Sequence, residues 1–447
     1  MLTAPVPHNF FEIILLQLQF LSTLRLRKLA TGIIPFDMDE HNSSPHRNNW
    51  KVTAFLFGLT GLVEALSFGH LSAFTPIYLR LLNVPVGRIQ FWTGMLSAVG
   101  FILGLPLLPF WAVWADRYGR KIIIIRSSVA AVLIYVFFAT ASSVGMLAVA
   151  RFFGGFVLGN TGVMMAVQAD ITPKAYLGRA VALISAGAPV GMAIGPAMGG
   201  YIIRLHGIRS LFWLDTILTF CMVVLLSIFL KEEPRVRNVG EKVGASLKAA
   251  MQAITHTPAV VRLFTVTFLM AMGMSVAQPY VPILVEQLYR GPLSGLALVI
   301  GWTFTSTGIA MAIATPLWGG IGDKVGHLPT FRLCLIAIMG SLIVQAVASV
   351  VFQVALGRVV LGMCYGGLGA LTMVLLANYA PKDKRSSILT LSLLPQQLAW
   401  FAGPLLGALI TPGGVRIAFW AAAVFVAISW FATFRLIEPS LPGQPEG

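Results

Sequence analysis

Charge is what this chain has least of. Asp, Glu, Lys and Arg make up 11% of its 447 residues, less than half the roughly 25% of a soluble globular protein, and a surface that poor in charge is not built for water. The few charges are lopsided, with 31 Lys and Arg against 16 Asp and Glu. No basic patch with interleaved aromatics accompanies the excess, which argues against a nucleic-acid partner; collection of Lys and Arg in the cytoplasmic loops of a membrane protein accounts for it. Cysteine is scarce as well. Cys221, Cys334 and Cys364 each lie in an apolar run, and no two have the spacing of metal ligands. The seven histidines are scattered. No metal site is therefore expected. A phosphate-cradling loop of the Walker type is missing too, as is any catalytic constellation, so neither ATP hydrolysis, nor an enzyme, nor a bound cofactor is expected.

What the chain has in abundance is apolar sequence, 57% of all residues. A spanning helix needs about 20 mostly apolar residues. Such stretches occur twelve times, at 52–80, 90–115, 122–142, 145–169, 178–204, 210–230, 258–288, 294–321, 330–350, 352–378, 387–411 and 415–436. Only helices or closed barrels satisfy the backbone in hydrocarbon, and these runs lack the alternation of barrel strands. The expectation is an all-α membrane protein with twelve transmembrane helices, here called spans 1 to 12.

One polar segment, 231–257, divides the spans into six and six. The expected organisation is an N-terminal extension 1–51, a first bundle 52–230, a linker 231–257, a second bundle 258–436 and a tail 437–447. Within the extension, residues 10–23 are apolar but short and contain Glu12, Gln17 and Gln19, which suits an interfacial helix. Its basic residues follow the apolar run, unlike a signal peptide. A competing expectation places the native start at Met38; N-terminal sequencing decides between them. Orientation follows from Lys and Arg. One set of loops holds most of them, with Arg126 counted among the loop 2–3 group, while the other holds only Arg80, Arg88, Arg204, Arg209, Arg290 and Arg416. Both termini are therefore expected in the cytoplasm and the protein in the plasma membrane.

Three motifs recur at an offset of about 207 residues. Residues 114–121, WADRYGRK, are echoed by GDKVGH at 322–327, which aligns Asp116 with Asp323. Arg151, Gly155 and Gly159 are echoed by Arg358, Gly362 and Gly366. Gly195, Pro196 and Gly199 are echoed by Gly403, Pro404 and Gly407. A shared offset among unrelated motifs implies duplication. Six spans per unit give both units the same orientation, related by an axis along the membrane normal.

Together these motifs resemble the major facilitator superfamily, and more narrowly its twelve-helix drug–proton antiporters of the bacterial multidrug efflux type. The resemblance covers residues 50–436 and implies two pseudo-symmetric six-helix bundles around a central cavity with alternating access. In loop 2–3 the family's opening glycine is Ala112, followed by Asp116, Arg117, Gly119, Arg120 and Lys121; the second copy keeps Gly319, Asp323 and Gly326 but has His327 at the position of Arg120. The resemblance implies a cytoplasmic gate, a latch that closes in the outward-facing state. Asp170, at the cytoplasmic end of span 4 near Lys174 and Arg179, has Asn378 as its repeat partner and is expected to be a gate or cap. Arg151 lies inside span 4, and in the similar antiporters this arginine is linked to proton coupling; Gly155 and Gly159 are expected to continue its face. Span 5 carries Gly187, Gly191, Gly195, Pro196, Gly199 and Gly200, which resemble the antiporter motif. Small residues every four positions let helices approach closely, and Pro196 can bend the helix. The expected result is a smooth contact between the two halves.

An acid inside a span marks a functional site by default. Glu64 sits midway along span 1. Removal from water disfavours a charged carboxylate, which suits a proton carrier, and related multidrug antiporters often carry an acid in this helix. The alternative is an acid permanently neutralised by a buried partner such as Arg151. His70 is a further candidate for proton coupling. Asp215, near the outer start of span 6, is expected to pair with Arg209. Span 7 has no acid at its midpoint; Gln278, Tyr280, Gln396, Gln397 and Trp400 are the candidates for a cavity of apolar walls and few polar anchors.

The expected function is proton-coupled export of lipophilic small molecules or drugs by a monomer whose partners are the substrate, protons and membrane lipid. The alternative is uptake or facilitated transport of a small metabolite, a sugar or organic acid, because a fold does not fix a function. A static receptor is disfavoured, since it needs no rocking interface.

Overall fold

Apolar runs of this length fold as helices because hydrocarbon offers their N–H and C=O groups no other partner. The computed structural model describes residues 49–231, 251–381 and 385–436. The N-terminal extension with its candidate start at Met38, most of the linker and the tail lie outside the described residues. So do the side chains of Asp116 and Arg117.

The expected spans are present with small shifts of boundary. Span 1 is Trp50–Leu81, capped by Asn49, whose side chain accepts the Lys51 N–H. Span 3 is Arg120–Thr140, span 5 Leu177–His206, span 6 Ile208–Phe229, span 8 Leu293–Val325, span 9 His327–Val347, span 10 Val351–Tyr379 and span 12 Arg416–Thr433. Eleven helices among the described residues are long and apolar enough to cross a membrane. The twelfth expected crossing, span 11, is broken into Arg385–Thr390 and Leu394–Ile410, the second piece opening with Pro395 at a position where a missing N–H costs nothing.

Other interruptions also depart from the expected continuous helices. Span 2 runs Val86–Ile102 and resumes as Gly104–Tyr118. Span 4 runs Val144–Phe152, tightens into a 3₁₀ turn at Phe153–Phe156 and resumes as Asn160–Ile171. Its Gly155 and Gly159 therefore do not continue the face of Arg151. Gly159 adopts a left-handed φ of 84°, which only glycine takes without strain, and its Cα side lies against the Trp111 ring. Gly155 meets Gly104 where the breaks in spans 2 and 4 cross. Span 7 runs Pro258–Ala277, a 3₁₀ turn Gln278–Tyr280 and Val281–Leu288. Pro279 and Pro282, which lack a backbone donor, stand at this interruption.

Across the seam between the two sets of six spans, the first segment of span 2 packs on the second segment of span 11, and span 5 packs on span 8. Gly94 faces the Pro404 carbonyl and Ala408. Arg80 Nε and Glu286 Oε1, 2.8 Å apart, tie span 1 to span 7 at the loop 1–2 end. Toward the opposite, loop 2–3 end, Gly104–Tyr118 packs chiefly on spans 3 and 4, and Arg385–Thr390 on span 10. The strongest ties between the halves thus lie toward the loop 1–2 end.

Candidate functional site

Glu64 faces the interior of the first six spans. Its Oε1 accepts from Asn160 Nδ2 at 2.9 Å and from Ser127 Oγ at 3.4 Å. Asn160 is placed by the break in span 4, the first residue of the helix that resumes after Gly159. A cation within electrostatic reach of Glu64 is Arg126 of span 3, not Arg151, the partner named in the competing reading of a permanently neutralised acid. The Arg126 guanidinium carbon stands 3.4 Å from the centre of the Trp111 ring, a cation–π contact that covers one face of the charge. The Lys and Arg count groups Arg126 with loop 2–3, although it falls within the expected span 122–142; the structure puts it in the second turn of span 3.

Asp215 corrects the sequence expectation. It is fully buried, and Arg209 instead donates to the Ala141 carbonyl at 3.3 Å. Asp215 Oδ1 accepts from Ser67 Oγ at 2.8 Å and lies 2.9 Å from His70 Nδ1. The other imidazole nitrogen, Nε2, is 2.8 Å from the Gly195 carbonyl. The same signal that singles out Glu64, an acid inside an apolar span, was present at Asp215 in LFWLDTILTF.

The span 5 glycines repeat in register with span 1. Gly187 faces the Gly58 carbonyl and Gly191 the Leu62 carbonyl; a methyl group on Gly195 would sit 2.7 Å from the Leu66 carbonyl, and one on Gly199 would sit 2.6 Å from His70 Cδ2. The stripe of Gly187, Gly191, Gly195 and Gly199 therefore lies inside the first half, while Pro196 and Gly200 of the same motif do lie between the halves as expected. The contact across the seam is made by the next face of the same helix, where Ala193, Pro196 and Gly200 meet Gly308, Gly301 and Ala297 of span 8. The physical reason is helical geometry: positions four apart share one face, and span 1 occupies it.

A narrow cleft, with a cavity volume of about 20 Å³, opens at the seam. Phe68 and Ser72 of span 1, Ser97 and Phe101 of span 2 and Arg151 of span 4 line one side; Gln278, Pro279, Trp400 and Pro404 line the other. Three sequence candidates from separate spans, Arg151, Gln278 and Trp400, meet here. Arg151 is 8% exposed; its nearest hydroxyl, Thr75 Oγ1, is 3.5 Å away, at the limit of a hydrogen bond. Its repeat partner Arg358 donates to Gln278 Oε1 at 2.7 Å and lies 4.9 Å from the centre of the Phe304 ring. Tyr280 is fully buried against Gly407 and Gly94 and does not line the cavity. Gln396 donates to Tyr365 Oη at 2.8 Å, and Gln397 is partly exposed.

Residues 26–299 and 295–447 match the sequence profile described as Major Facilitator Superfamily. The chain belongs to the Major Facilitator Superfamily. It is similar to the multidrug resistance protein MdtG of Proteus mirabilis, 26% identical over 88% of this chain and 98% of that protein. It is also similar to the multi-drug resistance efflux pump PmrA of Streptococcus pneumoniae, 27% identical over 87% and 96%. Among solved structures it resembles the nucleoside transporter NupG, with a TM-score of 0.70 at 10% identity over 86% of this chain and 98% of that one. The human organic anion transporter MFSD10 superposes with a TM-score of 0.61 at 16% identity over 87% and 100%. These structures share the fold. As a superfamily member with helices of this length and apolarity, the chain is an integral membrane protein.

The loop motifs of the superfamily sit at matching places in the two halves. Gly119 and Gly326 take φ of 106° and 100°, each ending one helix and opening the next. Arg120 Nη1 and Asp170 Oδ2 are 2.7 Å apart, joining loop 2–3 to span 4, while Lys121 Nζ donates to the Ser227 carbonyl at 2.7 Å. In the second copy His327 Nε2 and Asp323 Oδ1 are 3.4 Å apart. The first pair reaches from the loop 2–3 turn to span 4, whereas the second closes only the Gly326 turn between spans 8 and 9.

Proposed function

We propose that this chain exports lipophilic small molecules, drugs among them, in exchange for protons by alternating access. The observation that carries this function is the cavity at the seam. Its walls are aromatic rings and prolines, and its polar anchors are few: Arg151, Gln278 and two serines. Such a surface accepts an apolar body with little polar decoration, whereas a sugar would leave its hydroxyls unpaired, at roughly 1–3 kcal/mol for each buried one. The relatives named for multidrug resistance, aligned over nearly their full length, support the same assignment.

Glu64 is the proton carrier in this scheme. Its amide and hydroxyl partners can serve an ionised carboxylate or one oxygen of a protonated one, so a proton can come and go without a broken ion pair. Arg151 stands at the cavity wall, where a change in the charge balance of the first half reaches the substrate. Both termini and the loop 2–3 end face the cytoplasm, in keeping with the Lys and Arg bias. The halves 52–230 and 258–436 rock about the contact of span 5 with span 8. The latch of Asp116, Arg117, Gly119, Arg120 and Lys121 engages when the cytoplasmic side closes.

The test is efflux of a panel of lipophilic dyes from reconstituted vesicles under an imposed proton gradient. Extrusion that collapses with the gradient is the expected result. Inward accumulation of a sugar or an organic acid, with no dye movement, would overturn it in favour of metabolite uptake.

A further inference from the structure

The buried polar groups of the first half do not end at Glu64. His70 and Asp215 are both fully buried, and every polar atom of the imidazole faces an oxygen. A backbone carbonyl only accepts, so the 2.8 Å contact of Nε2 with Gly195 O requires a proton on Nε2. The 2.9 Å contact of Nδ1 with Asp215 requires a second proton, carried either by the ring or by the carboxyl. The observed arrangement is therefore that of a dyad holding one proton beyond neutral imidazole and carboxylate together.

Loss of that proton cannot leave both contacts intact. With one N–H left, the ring can donate to Asp215 or to Gly195 O, and the other nitrogen then points a lone pair at an oxygen less than 3 Å away. The bond to a carboxylate is the stronger of the two, roughly twice a neutral one, so the contact given up is the one to Gly195. That carbonyl belongs to span 5, one residue before Pro196, which touches span 8 across the seam. Gly199 leaves the space in which the ring lies.

We propose that His70 and Asp215 form a second proton-binding site of the transport cycle, separate from Glu64, and that its occupancy decides whether span 1 grips span 5 at Gly195. The inference rests on proton-driven transport as proposed above. The titratable and charged neighbours are few. Span 3 contributes Tyr135, which interacts with the Ser67 hydroxyl and lies in the fields of Asp215, Arg151 and Glu64. Span 4 contributes Arg151, reached through Tyr135, and span 1 contributes Glu64 itself. Span 6 adds Arg209, whose guanidinium is turned to the Ala141 carbonyl. Span 5 presents only backbone and glycine to the ring. Tyr135 thus interacts with the charges of both Asp215 and the arginine that lines the cavity.

The experiment is ¹⁵N magnetic resonance of imidazole-labelled full-length protein in lipid nanodiscs from pH 5 to pH 9, with the His70 signal assigned by its loss in His70→Gln. A His70 signal that passes between doubly and singly protonated forms within that range is expected. Asp215→Asn should move the inflection by more than about one pH unit, a tenfold change in proton affinity, or remove it, while Glu64→Gln should leave it within about half a unit. Should Asp215→Asn fail to fold, Asp215→Glu keeps the charge and is expected to retain an inflection. A His70 signal that stays flat across the range, in protein that still exchanges drug for protons, overturns this inference alone. A titrating dyad in protein that shows no proton-driven efflux overturns the proposed function and leaves the proton site standing.

Discussion

The two halves of this molecule descend from one pattern and have kept different chemistry. At the repeat offset, Glu64 maps to Ala271 or Met272, Asp215 to Ala422 or Ala423, and His70 to Ala277 or Gln278. Of these groups and Arg151, only Arg151 keeps its charge, in Arg358. The first half buries an acid held by an asparagine, an arginine stacked on a tryptophan and a His–Asp dyad. Around Arg358 the second half offers a glutamine and a phenylalanine ring. A charge out of water is costly and persists where it has a task, so the difference puts the candidates for proton chemistry in one half, while the other supplies a neutral wall to the cavity.

Glu64→Gln is the sharpest way to break that comparison. It should reduce dye efflux driven by a proton gradient to background while downhill dye exchange persists; equal loss of both would mean that the acid only supports the fold. The glycine stripe comes next. Gly191 has Ala399 as its repeat partner, and a methyl group at Gly191 runs into the Leu62 carbonyl. Gly191→Ala should therefore cost about 1–3 kcal/mol by overpacking, whereas Ala399→Gly costs about 1 kcal/mol of helix propensity. Thermal unfolding in detergent ranks the two, and the reverse order would show that the halves pack alike.

In the second half, Gln278→Ala should cost about 1.5–3 kcal/mol, the worth of a hydrogen bond to a charged group, because it strips the 2.7 Å partner from Arg358. An unchanged unfolding midpoint would show that the arginine finds another acceptor. The smallest effect belongs to the pair that ties the halves together. Arg80 and Glu286 have side chains 42% and 17% exposed, and a double-mutant cycle with alanine should give a coupling of roughly 0.2–1 kcal/mol. A larger coupling would make this pair, rather than the span 5 contact, the principal tie between halves.

Much of this was legible in the sequence because lipid imposes a simple rule. Twenty apolar residues in a row declare a helix, and a motif repeated at a fixed offset declares a duplicated bundle. The broken helices were not legible. Whether Gly155 and Gly159 continue a helix or end one depends on the crossing with Gly104 and on Trp111, neither of which is near in sequence. Partners were hidden for the same reason: His70 and Asp215 meet across spans 1 and 6, and Glu64 meets Asn160 only because span 4 restarts there. Gly191 and Gly195 were readable as a close-packing face, but nothing in the pattern said that the face belongs to span 1 and not to the opposite half. The cavity was half legible, with Gln278 and Trp400 found by type and Tyr280 placed there although it packs against spans 2 and 11.

The most direct measurement is proton movement itself, read from a pH-sensitive dye trapped in vesicles that contain the purified protein, while a lipophilic drug flows down its own gradient. Drug flow in one direction should drive protons in the other, and the wild-type signal should vanish when Glu64 is replaced by Gln. Drug flow with no change of internal pH in the wild type, or an undiminished change in the Glu64→Gln protein, would contradict a proton exchange seated in the first half.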